Sequence, residues 1–267
     1  MRNLALLLTS LVALCAAEQY FETSDSLSPS VSLAGIRTLS FSARDGEVLI
    51  LPSGDSTAAI TVVRIGRGET REDALAAMEA VDIEETTNDT VAGFVATMPE
   101  DVEGYAVFRV LLPADVPRVN VELASGKVEV KDVSTDITAE LGQGEVSSHK
   151  TEGSLRYSTG SGNISAKAHR GSVTASTGAG SISCTIGQLP PDAKVDLQTG
   201  AGPVQLYLST SASARIEAST GAGGIEIDGL YIDYETNEDM NLKGTLGDGE
   251  ASVTVRTDAG NIKLAGR

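Results

Sequence analysis

Ser158–Cys184 reads STGSGNISAKAHRGSVTASTGAGSISC, one structural unit given one and a half times. The turn Thr159-Gly160-Ser161-Gly162 returns 18 residues later as Thr177-Gly178-Ala179-Gly180. Ile164 and Ala166, two and four residues after the second glycine, return as Ile182 and Cys184. Apolar and polar residues alternate on either side of each turn, the period of a strand with one buried face. Two such strands in a fixed 18-residue repeat predict a parallel β-solenoid, each repeat one coil. Equivalent positions then stack about 4.8 Å apart along the axis.

The pattern extends in both directions. Gly126 and Gly144 precede Gly162 and Gly180 at the same 18-residue spacing, and Gly202, Gly223 and Gly260 follow at spacings of 22, 21 and 37. The last interval reads as about two coils, with Leu230–Gly244 an insertion rich in Asp, Glu and Asn before the final coils. Two residues after each glycine stands Val128, Val146, Ile164, Ile182, Val204, Ile225 or Ile262; seven before it stands Val119, Ile137, Leu155, Val173, Val195, Ile216 or Val253. Columns of this kind build a continuous core that no single coil could bury alone. Cys184 lies in an inward column and reads as a small buried apolar side chain.

The glycine turns exclude other sites. No helical pattern and no Lys-Ser/Thr pair follows them, so they do not form a phosphate loop. They also lack the repeated Asp of calcium-binding nonapeptides. No cofactor motif and no metal-ligating cluster is evident, and His149 and His169 read as surface histidines.

The N-terminal half is less regular. Leu39, Phe41, Gly46, Val48 and Ile50 copy the coil pattern once; Ile60–Ile65, Val91–Met98 and Tyr105–Leu112 read as further strands. Glu72–Ala80 reads as a short helix with Leu75 and Met78 on one face. The expected fold is therefore all-β, a parallel solenoid of about 18-residue two-strand coils capped by an N-terminal β region with one short helix. Such a cap covers an open sheet edge. The expected organisation is a signal peptide over 1–17, the cap and first coil-like strands over 18–112, and the Gly-rich solenoid over 113–267.

Export is read from the first segment. Arg2, the apolar run Leu4–Leu14 and the small residues Cys15, Ala16 and Ala17 follow the order of a secretory signal peptide. Cleavage after Ala17 is the expected processing; acylation of Cys15 is the alternative, opposed by the bulk of Leu14 before it. No other stretch is long enough for a transmembrane helix. The net charge is −17, which disfavours nucleic acid or anionic lipid as a general partner. Together these imply an exported protein of the periplasm, outer surface or secreted space, whose partner is an envelope protein or a polysaccharide. Asn88-Asp-Thr and Asn163-Ile-Ser have the pattern of N-glycosylation acceptors.

The residues bear on three classes of function. A non-catalytic interaction module fits a core built from repeats with an irregular exterior. A carbohydrate-active β-helix enzyme needs a pair of carboxylates. Glu129, Asp196, Glu217 and Glu226 are outward acids without an evident pair, and Tyr207 is the main outward aromatic. Ice binding is suggested by Thr159, Thr177, Thr199, Thr220 and Thr257, but parity turns that column inward. The candidate site is a stripe of Lys131, His149 and Lys167, each five residues after its turn glycine, which would take an anionic group of a glycan or lipid.

Three further features resemble a known family. They are a Gly-Glu-Val strand, helix and VLLPADV stretch before the repeats; the serial Thr-Gly-x-Gly-x-Ile/Val coils; and the closing GTLGDGEASVTVRTDAGNIKL of Gly244–Leu264. Together they are similar to the putative adhesin family of bacterial β-strand-repeat domains. The resemblance implies a β-solenoid at the cell envelope and carries over no catalytic residues.

Overall fold

The computed structural model describes residues 20–28, 35–54, 58–114 and 116–267. The N-terminal segment assigned to export, with Cys15 and Ala17, lies outside them. The described chain is all-β with one helix, a stack of coils in which each coil crosses two sheets. Strands β7 (Arg118–Lys131) and β8 (Asp136–His149) each run through the glycine corner, serving the first sheet before it and the second after it. Next come β9 (Glu152–Ser161), β10 (Ile164–Ala179), β11 (Ile182–Gln188), β12 (Lys194–Ala201) and β13 (Val204–Leu208). All pairings from β7 to β13 are parallel; the register is 18 residues as far as β11, so Val119 stacks on Ile137, Ile137 on Leu155 and Leu155 on Val173, and 22 residues onward to β12 and β13, where Val173 stacks on Val195 and Ile182 on Val204.

The inward columns form one core. Val119, Val128, Ile137, Val146, Leu155, Ile164, Val173 and Ile182 are at most 1% exposed. Tyr157 is buried between Ala139 and Ala175 of its own column, so two small neighbours make room for one large ring. The glycine corner explains its composition. Gly144 has φ +132°, and a Cβ there would lie 1.8 Å from the Gly126 carbonyl oxygen of the next coil. Only glycine lets two backbones approach so closely.

The spatial order of the coils departs from the chain order at both ends. At the C-terminal end, β14 (Ala214–Thr220) and β15 (Ile225–Asp228) do not stack on β12 and β13. The last strands of the chain, β18 (Ala251–Ala259) and β19 (Ile262–Gly266), lie between them, paired in parallel on both sides. The glycine ladder thus runs Gly180, Gly202, Gly260, Gly223. This corrects the reading of the 37-residue interval: a spacing records chain length, not neighbourhood. Leu230–Gly244 belongs to a hairpin, β16 (Ile232–Glu238) and β17 (Asn241–Leu246), whose β17 covers β14 in antiparallel pairing.

The N-terminal end uses the same device. Strand β2 (Thr38–Pro52) is a full coil stacked on β7. Outside it lies the later coil of β5 (Val91–Thr97) and β6 (Gly104–Leu112), parallel to β2. Strands β4 (Asp82–Thr87) and β3 (Ala59–Gly68) then cover β5 and β6 in antiparallel pairing, and β1 (Phe21–Leu27) covers β3. Helix α1 (Arg71–Glu79) starts at Thr70, whose hydroxyl accepts the Asp73 N–H in a capping box. It buries Ala74, Ala77 and Met78, while Leu75 faces solvent at 46% exposure. Of the face read from the sequence, Met78 and its neighbour Ala74 are buried and Leu75 is not.

Candidate interaction surface

The outward columns form two long faces. On the second sheet the register places Lys131 beside His149 and His149 beside Lys167. His149 and Lys167 are exposed and Lys131 is half-buried. The stripe is not unopposed. Lys131 and Lys127 both reach Glu129, and the hydrogen bond from Lys131 is the main reason that the Glu129 carboxyl lies below the usual carboxylate range. Lys150, one residue beyond His149, lies 3.9 Å from Asp132.

His169 is the correction. It is fully buried, its Nδ1 lies 3.0 Å from the Thr151 hydroxyl, and its Nε2 has no hydrogen-bond partner among the described residues. Burial lowers its pKa. The reason is a break in parity. Asp132, Lys150 and Ala168 have positive φ (55°, 51° and 53°) at equivalent points of the return turn. The next residue, Val133, Thr151 or His169, is thereby turned into the core. Three non-glycine residues at one left-handed position are the signal that simple alternation overlooks.

The threonine column closes the glycine corner from inside. Thr177 donates to the Gly162 carbonyl (3.0 Å), Thr199 to Gly180 (2.9 Å), Thr257 to Gly202 (3.0 Å) and Thr220 to Gly260 (2.8 Å). Each is 3–6% exposed, so the column bonds backbone oxygens and presents no array to ice. Above it, on the first sheet, Ser158, Ser176, Gln198 and Arg256 border a shallow trough of about 380 Å³ floored by Gly178 and Gly200.

The outward acids are spoken for locally. Asp196 accepts from Gln198 (2.9 Å), Glu217 from Lys243 (3.1 Å) and Glu226 from Lys263 (2.8 Å). Asp196 and Glu217 both register on Thr254, one coil to either side of it. Tyr207 donates to Gln205 (3.3 Å). A depression of about 520 Å³ in the N-terminal cap is lined by Arg44, Arg67, Glu100, Glu103 and Tyr105. Arg44 is held there by Asp45 and two backbone carbonyls, and Arg67 by Glu22 and the face of Tyr105.

One stack of coils, capped at its two ends and with flat polar faces, defines a β-solenoid repeat protein. Residues 118–265, more than half of the chain, match the family model described as Toastrack DUF4097, and the chain belongs to that family. No curated protein matches it. Among solved structures it is similar to a putative cell adhesion protein from Clostridium sporogenes, at 14% identity over 92% of this chain and 100% of that one, with a TM-score of 0.41. It is also similar to a putative adhesin from Bacteroides fragilis, at 10% identity over 91% and 97% of the two chains and a TM-score of 0.39. A third is a putative lipid binding protein from Parabacteroides distasonis, at 9% identity over 90% and 96% and a TM-score of 0.32. No helix among the described residues is long and apolar enough to cross a membrane.

Proposed function

We propose that this Toastrack chain is a non-catalytic interaction module, exported to the cell envelope or surface, that presents the outer faces of its solenoid to an envelope protein or polysaccharide. The observation that carries this reading is the separation of roles between columns. Inward positions are fixed by stacking, while outward ones such as Thr138, Arg156, Thr174 and Asp196 follow one another on a single face with no common chemistry. Such a face can change its ligand without disturbing the core. The order of Arg2, Leu4–Leu14 and Cys15–Ala17 supports export. The stripe of Lys131, His149 and Lys167 is proposed as the part of this surface that takes an anionic group, its columns set about 4.8 Å apart.

The experiment is fractionation of the source cells with protease shaving, followed by crosslinked capture of partners with the processed protein. Recovery of intact Met1 in the cytoplasm would refute export. For the stripe, replacing Lys131 and Lys167 with Gln should weaken binding to an acidic polysaccharide or to anionic vesicles, most at low salt. Unchanged binding by that double variant removes the stripe while leaving the module reading in place.

A further inference from the structure

The solenoid has four terminal edges, two sheets at each end, and they are not treated alike. At the N-terminal end β4 covers β5 and β3 covers β6. At the C-terminal end β17 covers β14, but among the described residues no strand pairs with β15 on the side away from β19. The core beneath that edge is also incomplete. Ile225 and Ile227 pack against it but remain half-buried, whereas Ile262 and Leu264 in the neighbouring coil are 0% exposed.

The backbone polarity of the edge follows from its register. Ile262 donates to the Gly224 carbonyl (3.0 Å) and pairs with Ile225. In a parallel ladder alternate residues serve alternate neighbours. Gly224 and Glu226 therefore face β19, and Ile225 and Ile227 turn their N–H and C=O groups outward. The Ile225 N–H is taken by the Asp239 carbonyl (3.2 Å); the groups of Ile227 lie beyond that contact. Tyr231, three residues past the strand, is 92% exposed.

The charge around the edge selects the occupant. From Glu226 to Asp239 the chain carries Glu226, Asp228, Asp233, Glu235, Glu238 and Asp239, with no Lys or Arg. Glu226 and Asp228 point outward beside the edge with side chains 65% and 70% exposed, and Lys263 of the next strand answers only those two. A strand added here would place its inward residues over Ile225 and Ile227, and its outward residues beside Glu226 and Asp228. A second copy of this edge would set carboxylate against carboxylate, which disfavours self-pairing.

We infer that the free edge of β15 is a strand-addition site for an extended segment of another protein in which apolar and cationic residues alternate. The backbone of that segment bonds to Ile227, its apolar residues complete the core over Ile225 and Ile227, and its Lys or Arg residues neutralise Glu226 and Asp228. The inference is independent of export and of the lysine stripe.

The test uses the full chain and an alternating Lys-Val octapeptide. Controls are a block peptide of the same composition (four Lys, then four Val) and an alternating Glu-Val peptide. Binding is read by fluorescence anisotropy, and protection by amide hydrogen exchange across Ile225–Gly229. The expected result is binding of the alternating cationic peptide alone, with slowed exchange at Ile227. Ile227→Pro removes the outward N–H without touching the β19 ladder and should weaken binding at least tenfold. The double variant Glu226→Gln and Asp228→Asn should weaken it as well and flatten its salt dependence; it serves if the proline variant does not fold. Equal binding of the block peptide would reduce the effect to charge and overturn the inference. So would binding without protection at β15, or sedimentation showing that the edge pairs with a second copy instead.

Discussion

At the glycine corner backbone stacks on backbone with no room for a side chain, and Gly162→Ala tests it. Gly162 has φ +142°, a region that L side chains rarely adopt, and its Cβ would sit 1.8 Å from the Gly144 oxygen and 2.7 Å from its carbonyl carbon. The backbone conformation alone costs about 1–3 kcal/mol. Relieving the overlap requires the two coils to separate at the corner. Moving the Gly162 backbone disturbs two hydrogen bonds: Val146 N to Asn163 O (3.1 Å), which joins these two coils, and Gly162 N to Ala179 O (2.8 Å), which joins Gly162 to the coil on its other side. Each contributes about 1 kcal/mol net. A loss of about 3–5 kcal/mol is expected, a large share of the roughly 5–15 kcal/mol of a typical domain. Gly224→Ala is the control, because a Cβ there meets nothing within 4 Å. Urea unfolding followed by far-ultraviolet circular dichroism measures both. With a slope of about 1–3 kcal/mol per molar urea, Gly162→Ala should lower the midpoint by at least about 1 M and Gly224→Ala should barely move it. Equal midpoints would show that the coils do not touch through these glycines.

Four further outcomes are expected. Val173→Asp places a charge at a position 0% exposed and should cost several kcal/mol, while Ser183→Asp on the outer side of the same coil should be nearly neutral in urea titrations. Tyr157→Phe should leave the unfolding midpoint unchanged or raise it, because among the described residues the buried phenol oxygen has no hydrogen bond of good geometry, its polar neighbour being the equally unpartnered Ser148 hydroxyl; Tyr157→Ala should lower stability by about 3–5 kcal/mol. His169 is kept neutral by burial, so below about pH 6.5 the unfolded chain takes up a proton that the folded one refuses. Its stabilising share is complete above that pH and falls as pH drops through the lowered folded value, by at most about 1.4 kcal/mol per pH unit, and His169→Leu should flatten this part of the stability–pH curve. Cys184, buried and with its thiol pushed up to about 12, should resist alkylating reagents at neutral pH until urea unfolds the chain, as peptide mapping would show.

What was legible in the sequence was whatever repeats. The columns headed by Val119, Val128 and Gly126 are enforced in every coil by the same stacking, so each coil reports the same constraint again. His169 escaped because a turn residue in the left-handed region shifts parity by one, and Lys150 or Ala168 does not advertise that conformation as a glycine would. The stripe of Lys131, His149 and Lys167 was legible as a column for the same reason that the core was, since register alone aligns it. The salt bridges that temper it depend on side-chain reach across and along strands, which a period does not encode.

The order of the end coils was illegible for a deeper reason. Every coil offers its neighbours nearly the same ladder, so β14 would match β12 about as well as β18 does: Ile216 and Ala218 repeat the roles of Val253 and Val255. What fixes the order is the end of the stack. The hairpin β16–β17 is continuous with β15 and pairs antiparallel with β14, so that coil must be outermost. One position then remains between β12–β13 and β14–β15, and β18–β19 fill it, paired in parallel on both sides. The N-terminal end solves the same problem with β2, which is flanked by a later coil on each face. Both caps are thereby tied to the stack by a coil that comes from elsewhere in the chain. The N-terminal cap is held to its coil by two ladders, β4–β5 and β3–β6, and the C-terminal hairpin by one, β17–β14, which joins the ends of a quasi-one-dimensional fold to its middle.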